Sequence, residues 1–233
     1  MTLNIEVVEN PARACGAMLV GAAVSAGHVV LAGGSTPRAA YQELADAVRA
    51  VGLGFDGTTL WFGDERCVPP DDERSNFAMV KQTLLDPIAD LTRPEVRRMK
   101  GELGPGRAAD DYERALRDAG EPEFELVLLG IGPDGHTASL FPDQTTLQER
   151  SRMVVGVEHA GLEPFVPRVT FTLPRLARSR HVVFLVSGES KADAVAAAFG
   201  PNAKPDPHVP SSLLVPLAKE VTVLLDPPAA AKL

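Results

Sequence analysis

Short, almost continuously apolar runs alternate with segments of helical periodicity along this 233-residue chain. Apolar runs of about four to eight residues, bounded by glycine, proline or charged residues, are typical of strands. Eight strands are predicted in this way, at residues 4–8, 28–32, 58–62, 124–131, 153–157, 168–172, 181–186 and 221–225. The runs at 28–32, 124–131 and 181–186 contain few polar residues, which is typical of strands buried on both faces of a parallel sheet.

Helices are predicted between these strands, at residues 10–26, 37–50, 75–85, 107–119 and 188–199. Ser75 suits the start of the third helix, while Thr36 suits the N-cap and Pro37 the first position of the second. The alternation of strands and helices predicts an α/β fold whose open, mostly parallel sheet carries helices on both faces. The proline-rich stretch 201–210 is interpreted as a surface loop because strand residues follow it, so residues 1–233 are expected to form a single domain.

Composition and charge narrow the class of protein. Apolar residues make up 45% of the chain and charged residues 23%, which predicts a packed core rather than disorder. The formal net charge of −8 disfavours binding to nucleic acid or to an anionic membrane. An anionic substrate would therefore need a local patch of basic side chains and backbone N–H groups.

The sequence also gives expectations for the cellular location of the protein, its metal and cofactor requirement and its oligomeric state. The first residues do not follow the pattern of a signal peptide, and no run approaches the roughly 18 apolar residues of a membrane span, so we expect a cytoplasmic protein. Cys15 and Cys67 are expected to be reduced thiols. No histidine, cysteine or carboxylate cluster has the spacing of metal ligands, and no cofactor is expected. No apolar helix face stands out for pairing, which favours a monomer.

Three motifs follow predicted strands, and ligands of open parallel sheets bind beyond the carboxyl ends of the strands. The first motif is Gly33-Gly34-Ser35-Thr36-Pro37. Its glycines let the backbone approach a ligand closely, and free N–H groups at a helix start suit a phosphate. A tight turn followed by a helix cap explains the same residues, so both interpretations stay open.

The second motif is Asp64-Glu65-Arg66, which follows the apolar strand 58–62. As part of a site, Arg66 would meet an anionic ligand, while Asp64 would bind ligand hydroxyls or orient another side chain. A charged surface turn is the alternative interpretation.

The third motif runs from Gly130 through Gly132-Pro133-Asp134-Gly135-His136 after a continuous strand. The glycines permit a sharp turn that presents the imidazole of His136 at the edge of the sheet. Histidine suits general-base catalysis near neutral pH, and Asp134 is placed to orient the ring. A loop histidine without function is the alternative.

Two basic residues lie after later strands or at their start. Lys191 falls in the first turn of the predicted helix 188–199, where a cation is unfavourable against the helix dipole unless an anion binds nearby. Arg168 opens the predicted strand 168–172, and it is either a second anion ligand or a solvated surface charge.

Taken in order, these motifs resemble the 6-phosphogluconolactonase family, within the superfamily that includes glucosamine-6-phosphate deaminases and ribose-5-phosphate isomerases. The residues that carry the resemblance span most of the chain: Gly33–Pro37, Asp64–Arg66, Gly132–Pro142, Arg168–Thr172 and Gly188–Lys191. The resemblance implies a Rossmann-like sheet and the metal-independent hydrolysis of 6-phospho-D-glucono-1,5-lactone to 6-phosphogluconate, in the oxidative pentose phosphate pathway.

The resemblance also implies roles for individual residues. The 6-phosphate would be held by Gly33, Gly34, Ser35, Thr36, Arg168 and Lys191. His136 would take a proton from the attacking water, and Asp134 and Arg66 would line the reacting end with Asp64 close by. Ser139 is expected to be structural, because a δ-lactone is already an activated ester and needs no serine nucleophile.

Two other functions are compatible with some of the same residues. An amino-sugar-phosphate deaminase/isomerase has a glutamate for ring opening where this chain has Phe141, and a tyrosine in place of Arg66. A non-catalytic sugar-phosphate sensor of a transcription regulator would carry a DNA-binding segment ahead of the fold, and its charge would suit DNA. Both comparisons favour the lactonase.

Overall fold

The computed structural model describes residues 2–233 and contains ten strands. In chain order they are β1 (Thr2–Val7), β2 (His28–Leu31), β3 (Thr59–Phe62), β4 (Asp64–Arg66), β5 (Glu95–Arg97), β6 (Phe124–Leu129), β7 (Val154–Val157), β8 (Arg168–Phe171), β9 (Ser179–Val186) and β10 (Glu220–Leu225). All eight predicted strands are found, with small differences at their ends. The short strands β4 and β5 were not predicted, because their charged residues form no apolar run.

Seven strands form one parallel sheet in the order β1-β10-β9-β6-β2-β3-β5. All four residues of β3 and most of β6 and β9 are buried, so the sheet is covered on both faces. The prediction of an open, parallel α/β sheet is therefore confirmed. Because β2 and β6 pair side by side, the glycine loops that follow them emerge next to each other at one edge.

The strands β7 and β8 lie outside this sheet, which corrects the sequence interpretation. They form a small antiparallel sheet with β4, in the order β4-β8-β7. The strand pattern alone does not distinguish these two runs from the parallel strands, since both are short and apolar. Their separation matters for the site, because it places β4 and β8 across from the two glycine loops.

Within residues 2–233, seven α-helices connect the strands. They are α1 (Pro11–Val24), α2 (Ser35–Val51), α3 (Asn76–Val80), α4 (Pro105–Asp118), α5 (Leu173–Ala177), α6 (Ala192–Phe199) and α7 (Pro210–Leu214). A π-helical turn, Lys81–Leu85, extends α3, and a 3-10 turn, Glu189–Lys191, precedes α6. No helix within residues 2–233 combines the length and apolar character that crossing a bilayer requires.

The starts of three helices test the sequence-based capping assignments. The Ser75 hydroxyl accepts a hydrogen bond from the backbone N–H of Ala78, as predicted for an N-cap. The prediction for Thr36 is wrong: α2 begins at Ser35, and Gly34 occupies the N-cap with a φ of 105°. Lys191 likewise ends the 3-10 turn and stands at the N-cap of α6, one residue before the α-helix.

Candidate active site

A cavity of about 230 Å³ opens beyond the carboxyl ends of β2, β3, β6 and β9. Every residue of the predicted site except Asp134 lines it: Gly33, Gly34, Ser35, Thr36, Asp64, Arg66, His136, Arg168 and Lys191. The parallel sheet contributes the glycine loops, and the small antiparallel sheet contributes the arginines. The fold thus brings together motifs that lie far apart in the sequence.

The loop after β2 presents backbone donors to this cavity. Gly34 takes a φ of 105°, which favours glycine, and the chain turns there into α2. The first helical N–H bond runs from Arg38 to the carbonyl of Gly34, so the N–H groups of Ser35 and Thr36 have no helical acceptor. The fully buried Tyr41 fixes the strand end, because its hydroxyl both accepts from the N–H of Ala32 and donates to its carbonyl.

His136 is held by the carboxylate two residues before it. Its Nδ1 lies 2.6 Å from Oδ1 of Asp134, and its backbone N–H donates to the same oxygen at 3.2 Å. Gly135, with a φ of 81°, turns the chain between them. A Cβ at Gly132 would overlap both Nδ1 of His136 and Oδ1 of Asp134, so the pair sits directly against a glycine backbone. This geometry explains how two residues outside any strand still meet.

The surroundings of this pair keep Asp134 ionised and the ring oriented. Burial alone would raise the pKa of Asp134, but the hydrogen bond and the charge of His136 bring this pKa below its ordinary value. Phe141 packs against the imidazole with 4.8 Å between ring centroids. Among residues 2–233, none forms a hydrogen bond with Nε2 of His136, which leaves this nitrogen for a ligand in the cavity.

Arg66 and Arg168 are direct cross-strand partners in the antiparallel pair of β4 and β8. Arg168 is only 4% exposed and donates to the backbone carbonyls of Leu162, Pro164 and Val166. Burial, with the charge of Arg66 as a smaller contribution, lowers the pKa of Arg168, while Asp64 opposes the shift.

Neither arginine is neutralised by an ion pair in the part of the chain described. Arg66 donates to the carbonyl of Arg74 at 2.7 Å, and its Nε is buried without a hydrogen-bond partner. Two uncompensated guanidinium groups side by side at a cavity are characteristic of an anion site.

Lys191 supplies the third cation of the cavity wall. Burial lowers the pKa of this lysine, and the charge of Asp134 acts in the opposite direction. Within residues 2–233 its ammonium group forms no ion pair at hydrogen-bonding distance. The site therefore combines three basic side chains with the free N–H groups of Ser35 and Thr36.

Asp64 and Glu65 are both buried, and each is engaged by protein donors. Asp64 accepts from the Ser139 hydroxyl at 2.6 Å and from the Asn76 amide at 3.1 Å. Glu65 accepts the backbone N–H groups at the start of α3 and the Ser75 hydroxyl. Burial raises the pKa of Glu65, and these backbone donors act against that rise. The charged-surface-turn interpretation of Asp64–Arg66 is therefore wrong.

The cavity wall includes residues that sequence reasoning did not select as site residues. Leu162 and Glu163 belong to the loop that Arg168 holds through its carbonyls, and Phe141 lies against His136. Nothing in the sequence around 162–163 signals a site, since the loop is placed by its contacts with Arg168. No group of three or more histidine, cysteine or acidic side chains in residues 2–233 is arranged to hold a metal ion.

Comparisons with known proteins agree with this geometry. A curated 6-phosphogluconolactonase of Mycobacterium leprae is 40% identical over 216 residues, covering 88% of this chain and 84% of that protein. The solved structure of 6-phosphogluconolactonase from Trypanosoma brucei matches with a TM-score of 0.82 at 28% identity, over 100% of this chain and 98% of that chain. A monomeric glucosamine-6-phosphate deaminase matches over 100% of both chains with a TM-score of 0.85, but at 20% identity this likeness concerns the fold alone. The family model for glucosamine-6-phosphate isomerases and 6-phosphogluconolactonases covers residues 6–223, and the chain belongs to this family.

Proposed function

We propose that this protein hydrolyses 6-phospho-D-glucono-1,5-lactone to 6-phospho-D-gluconate. The observation that carries the proposal is the Asp134–His136 pair facing a small cavity with three basic side chains that lack carboxylate partners. The cations and the helix start suit a phosphate, and the histidine suits activation of water. The lactonase relatives supply the identity of the sugar.

The first step is proton transfer at His136. An ionised carboxylate only accepts hydrogen bonds, so Asp134 assigns the proton of the neutral ring to Nδ1 and leaves the lone pair on Nε2. Nε2 then takes a proton from a water molecule as that water attacks the lactone carbonyl carbon. The lowered pKa of Asp134 keeps this arrangement over the neutral range.

The second step is collapse of the tetrahedral intermediate. The bond between the carbonyl carbon and the ring oxygen breaks, and the ring oxygen takes the proton from the His136 imidazolium. The products are the sugar hydroxyl and a carboxylic acid, which ionises in water. Arg66 or backbone N–H groups at the glycine loops stabilise the negative oxygen, and such donors usually contribute the largest share of acyl-transfer catalysis.

The phosphate anchors the other end of the substrate. Ser35 and Thr36 provide backbone N–H groups, Arg168 a planar guanidinium and Lys191 an ammonium group. Binding this remote group orients the carbonyl against His136 and reduces the entropy lost in the reaction. Arg66 is the cross-strand partner of Arg168 and lines the same cavity.

The amino-sugar deaminase is less well supported by the side chains around His136. Phe141 packs against the imidazole where that reaction needs a carboxylate for ring opening. Of the acids that line the cavity, Asp64 has both oxygens engaged, and Glu163 lies on an exposed part of its rim.

The test generates the lactone from glucose 6-phosphate with its dehydrogenase and follows proton release. Because the lactone also hydrolyses unaided, the measured quantity is acceleration over that background. We expect acceleration proportional to enzyme concentration, and no ammonia from glucosamine 6-phosphate. Ammonia release without faster lactone hydrolysis would assign the protein to the deaminases, and binding of phosphate without either activity would favour the sensor.

A further inference from the structure

A chain of buried hydrogen bonds links the His136 loop to the opposite wall of the cavity. The Ser139 hydroxyl donates to Oδ2 of Asp64 at 2.6 Å, and Nδ2 of Asn76 donates to Oδ1 of Asp64 at 3.1 Å. The same amide nitrogen donates to the backbone carbonyl of Asp64 at 2.9 Å. Ser139 is 0% exposed, Asn76 1% and Asp64 7%, so water does not compete for these bonds.

At one end, this network of hydrogen bonds fixes the loop that carries His136. Ser139 follows His136 by three residues, and its backbone N–H also donates to the Thr170 hydroxyl at 3.2 Å. Ala138, between them, has a φ of 49°, a conformation that an alanine adopts only when its surroundings enforce it. Two hydrogen bonds from Ser139 thus attach the end of the loop to β4 and β8.

At its other end, the hydrogen-bond network reaches the glycine loop after β2. A Cβ at Gly33 would overlap the Asn76 side-chain amide, so this glycine packs directly against Asn76. Asn76 itself is fixed, because its backbone N–H donates to Glu65. Ser139, Asp64 and Asn76 therefore span the distance between the histidine loop and the loop that begins α2.

The same geometry excludes Ser139 as a nucleophile despite its closeness to His136. Its hydroxyl is fully buried and its proton is committed to Asp64. Asp64 in turn has an acceptor bond on each carboxylate oxygen. The Ser139 hydroxyl therefore has no proton to give to His136.

We propose that Ser139, through Asp64, is a positioning residue that sets the place of the general base His136 relative to the bound phosphate. This inference rests on the proposed lactonase function. Loss of the Ser139–Asp64 bond lets the His136 loop shift while the cations and α2 stay in place. A misplacement of about 1 Å at a reacting group costs on the order of 10²-fold in rate.

The test measures lactone hydrolysis for Ser139→Ala in the wild-type and His136→Ala backgrounds. We expect kcat to fall roughly 10- to 100-fold with KM changed by less than about threefold, and no further loss in the His136→Ala background. The stabilisation of each variant by inorganic phosphate in thermal unfolding reports whether the anion site is intact, and it should persist. The matched control is Ser179→Ala, which removes another buried serine hydroxyl and its hydrogen bond to the carbonyl of Leu176, at the end of β9 away from the cavity.

Unchanged kcat in Ser139→Ala, or an equal loss in both backgrounds, would overturn the positioning role. A rise in KM at constant kcat would overturn it as well. If the alanine variant does not fold, Ser139→Cys carries the same test, because the thiol fills similar space but donates weakly. If the wild-type chain itself does not accelerate lactone hydrolysis, the proposed function has failed, and that outcome is distinct from equal activity of the wild type and the variant.

Discussion

Arg66 and Arg168 face each other across β4 and β8, two like charges at directly opposite positions of an antiparallel pair. Like charges directly opposite each other in an antiparallel pair are destabilising. In residues 2–233, both guanidinium groups donate only to backbone carbonyls. Both side chains line the cavity, so the pairing favours an anionic substrate there and makes the arginines the natural first targets of mutation.

Replacing Arg168 with lysine should weaken substrate binding. Lysine keeps the charge but loses the planar fork that holds a phosphate and the carbonyls of the 162–166 loop together. We expect KM to rise about tenfold or more with a smaller change in kcat, since a lost charge-assisted hydrogen bond amounts to roughly 1.5–3 kcal/mol. Steady-state kinetics measure both. Arg180→Lys, at an exposed ion pair, is the control, and an unchanged KM in Arg168→Lys would contradict the phosphate role.

The Arg66→Gln variant distinguishes between two roles for Arg66, stabilisation of the tetrahedral intermediate and binding of the phosphate. If Arg66 stabilises the negative oxygen of the intermediate, kcat should fall by about 10²-fold or more with little change in KM. We expect this result. A rise in KM alone, with loss of the stabilisation by inorganic phosphate, would instead place Arg66 in the phosphate subsite beside Arg168.

Gly132→Ala should displace the catalytic pair. The new Cβ would overlap both Nδ1 of His136 and Oδ1 of Asp134, so at least one side chain has to move. We expect kcat to fall by about 10²-fold while phosphate still raises the melting temperature. Gly21→Ala is the control, because a Cβ there meets no atom within 4 Å. Normal turnover in Gly132→Ala would mean that the observed His136–Asp134 geometry is not needed.

Asp134→Asn should lower the catalytic activity. It should also remove the part of the pH dependence of stability that comes from the Asp134 carboxylate. The amide lets the ring adopt the other tautomer, in which Nε2 no longer accepts a proton, so kcat should fall by about 10²- to 10⁴-fold, up to the loss expected for His136→Ala. Since the folded-state pKa of Asp134 is lowered, its contribution to stability is full above its ordinary pKa of about 3.9 and is lost as pH falls through the folded value.

Urea unfolding at several pH values checks the second part of this prediction. The difference in unfolding free energy between wild type and Asp134→Asn should be constant at neutral pH and should shrink below about pH 4. A difference that grows on acidification would have the wrong sign for a lowered pKa.

The sequence was sufficient to predict the parallel sheet, and the residues selected from it, apart from Asp134, line one cavity. Strands such as β3 and β6 are buried on both faces, and their continuous apolar runs reflect that burial. The glycine loops come directly after predicted strands, and ligands of parallel sheets bind beyond the strand ends. The position of these loops at the cavity could therefore be predicted.

Long-range contacts explain what the sequence did not reveal. The strand β4 consists of three charged residues and has no apolar run that would predict it. Hydrogen bonds from α3 and Ser139 hold it in place. The register that pairs Arg66 with Arg168 joins segments about a hundred residues apart, and no local pattern encodes it. The helix α2 starts two residues earlier than predicted, because Gly34 makes the turn that was assigned to a Thr36 cap.

The activity of His136→Ala tests the central claim most directly. The measurement is lactone hydrolysis above the spontaneous rate, at substrate concentrations well above KM, with phosphate-induced stabilisation as the check that the site is folded. The account predicts a kcat roughly 10²- to 10⁴-fold below wild type with substrate binding largely kept. Near-normal kcat in a folded, phosphate-binding His136→Ala protein would contradict it, because no other histidine in residues 2–233 lines the cavity.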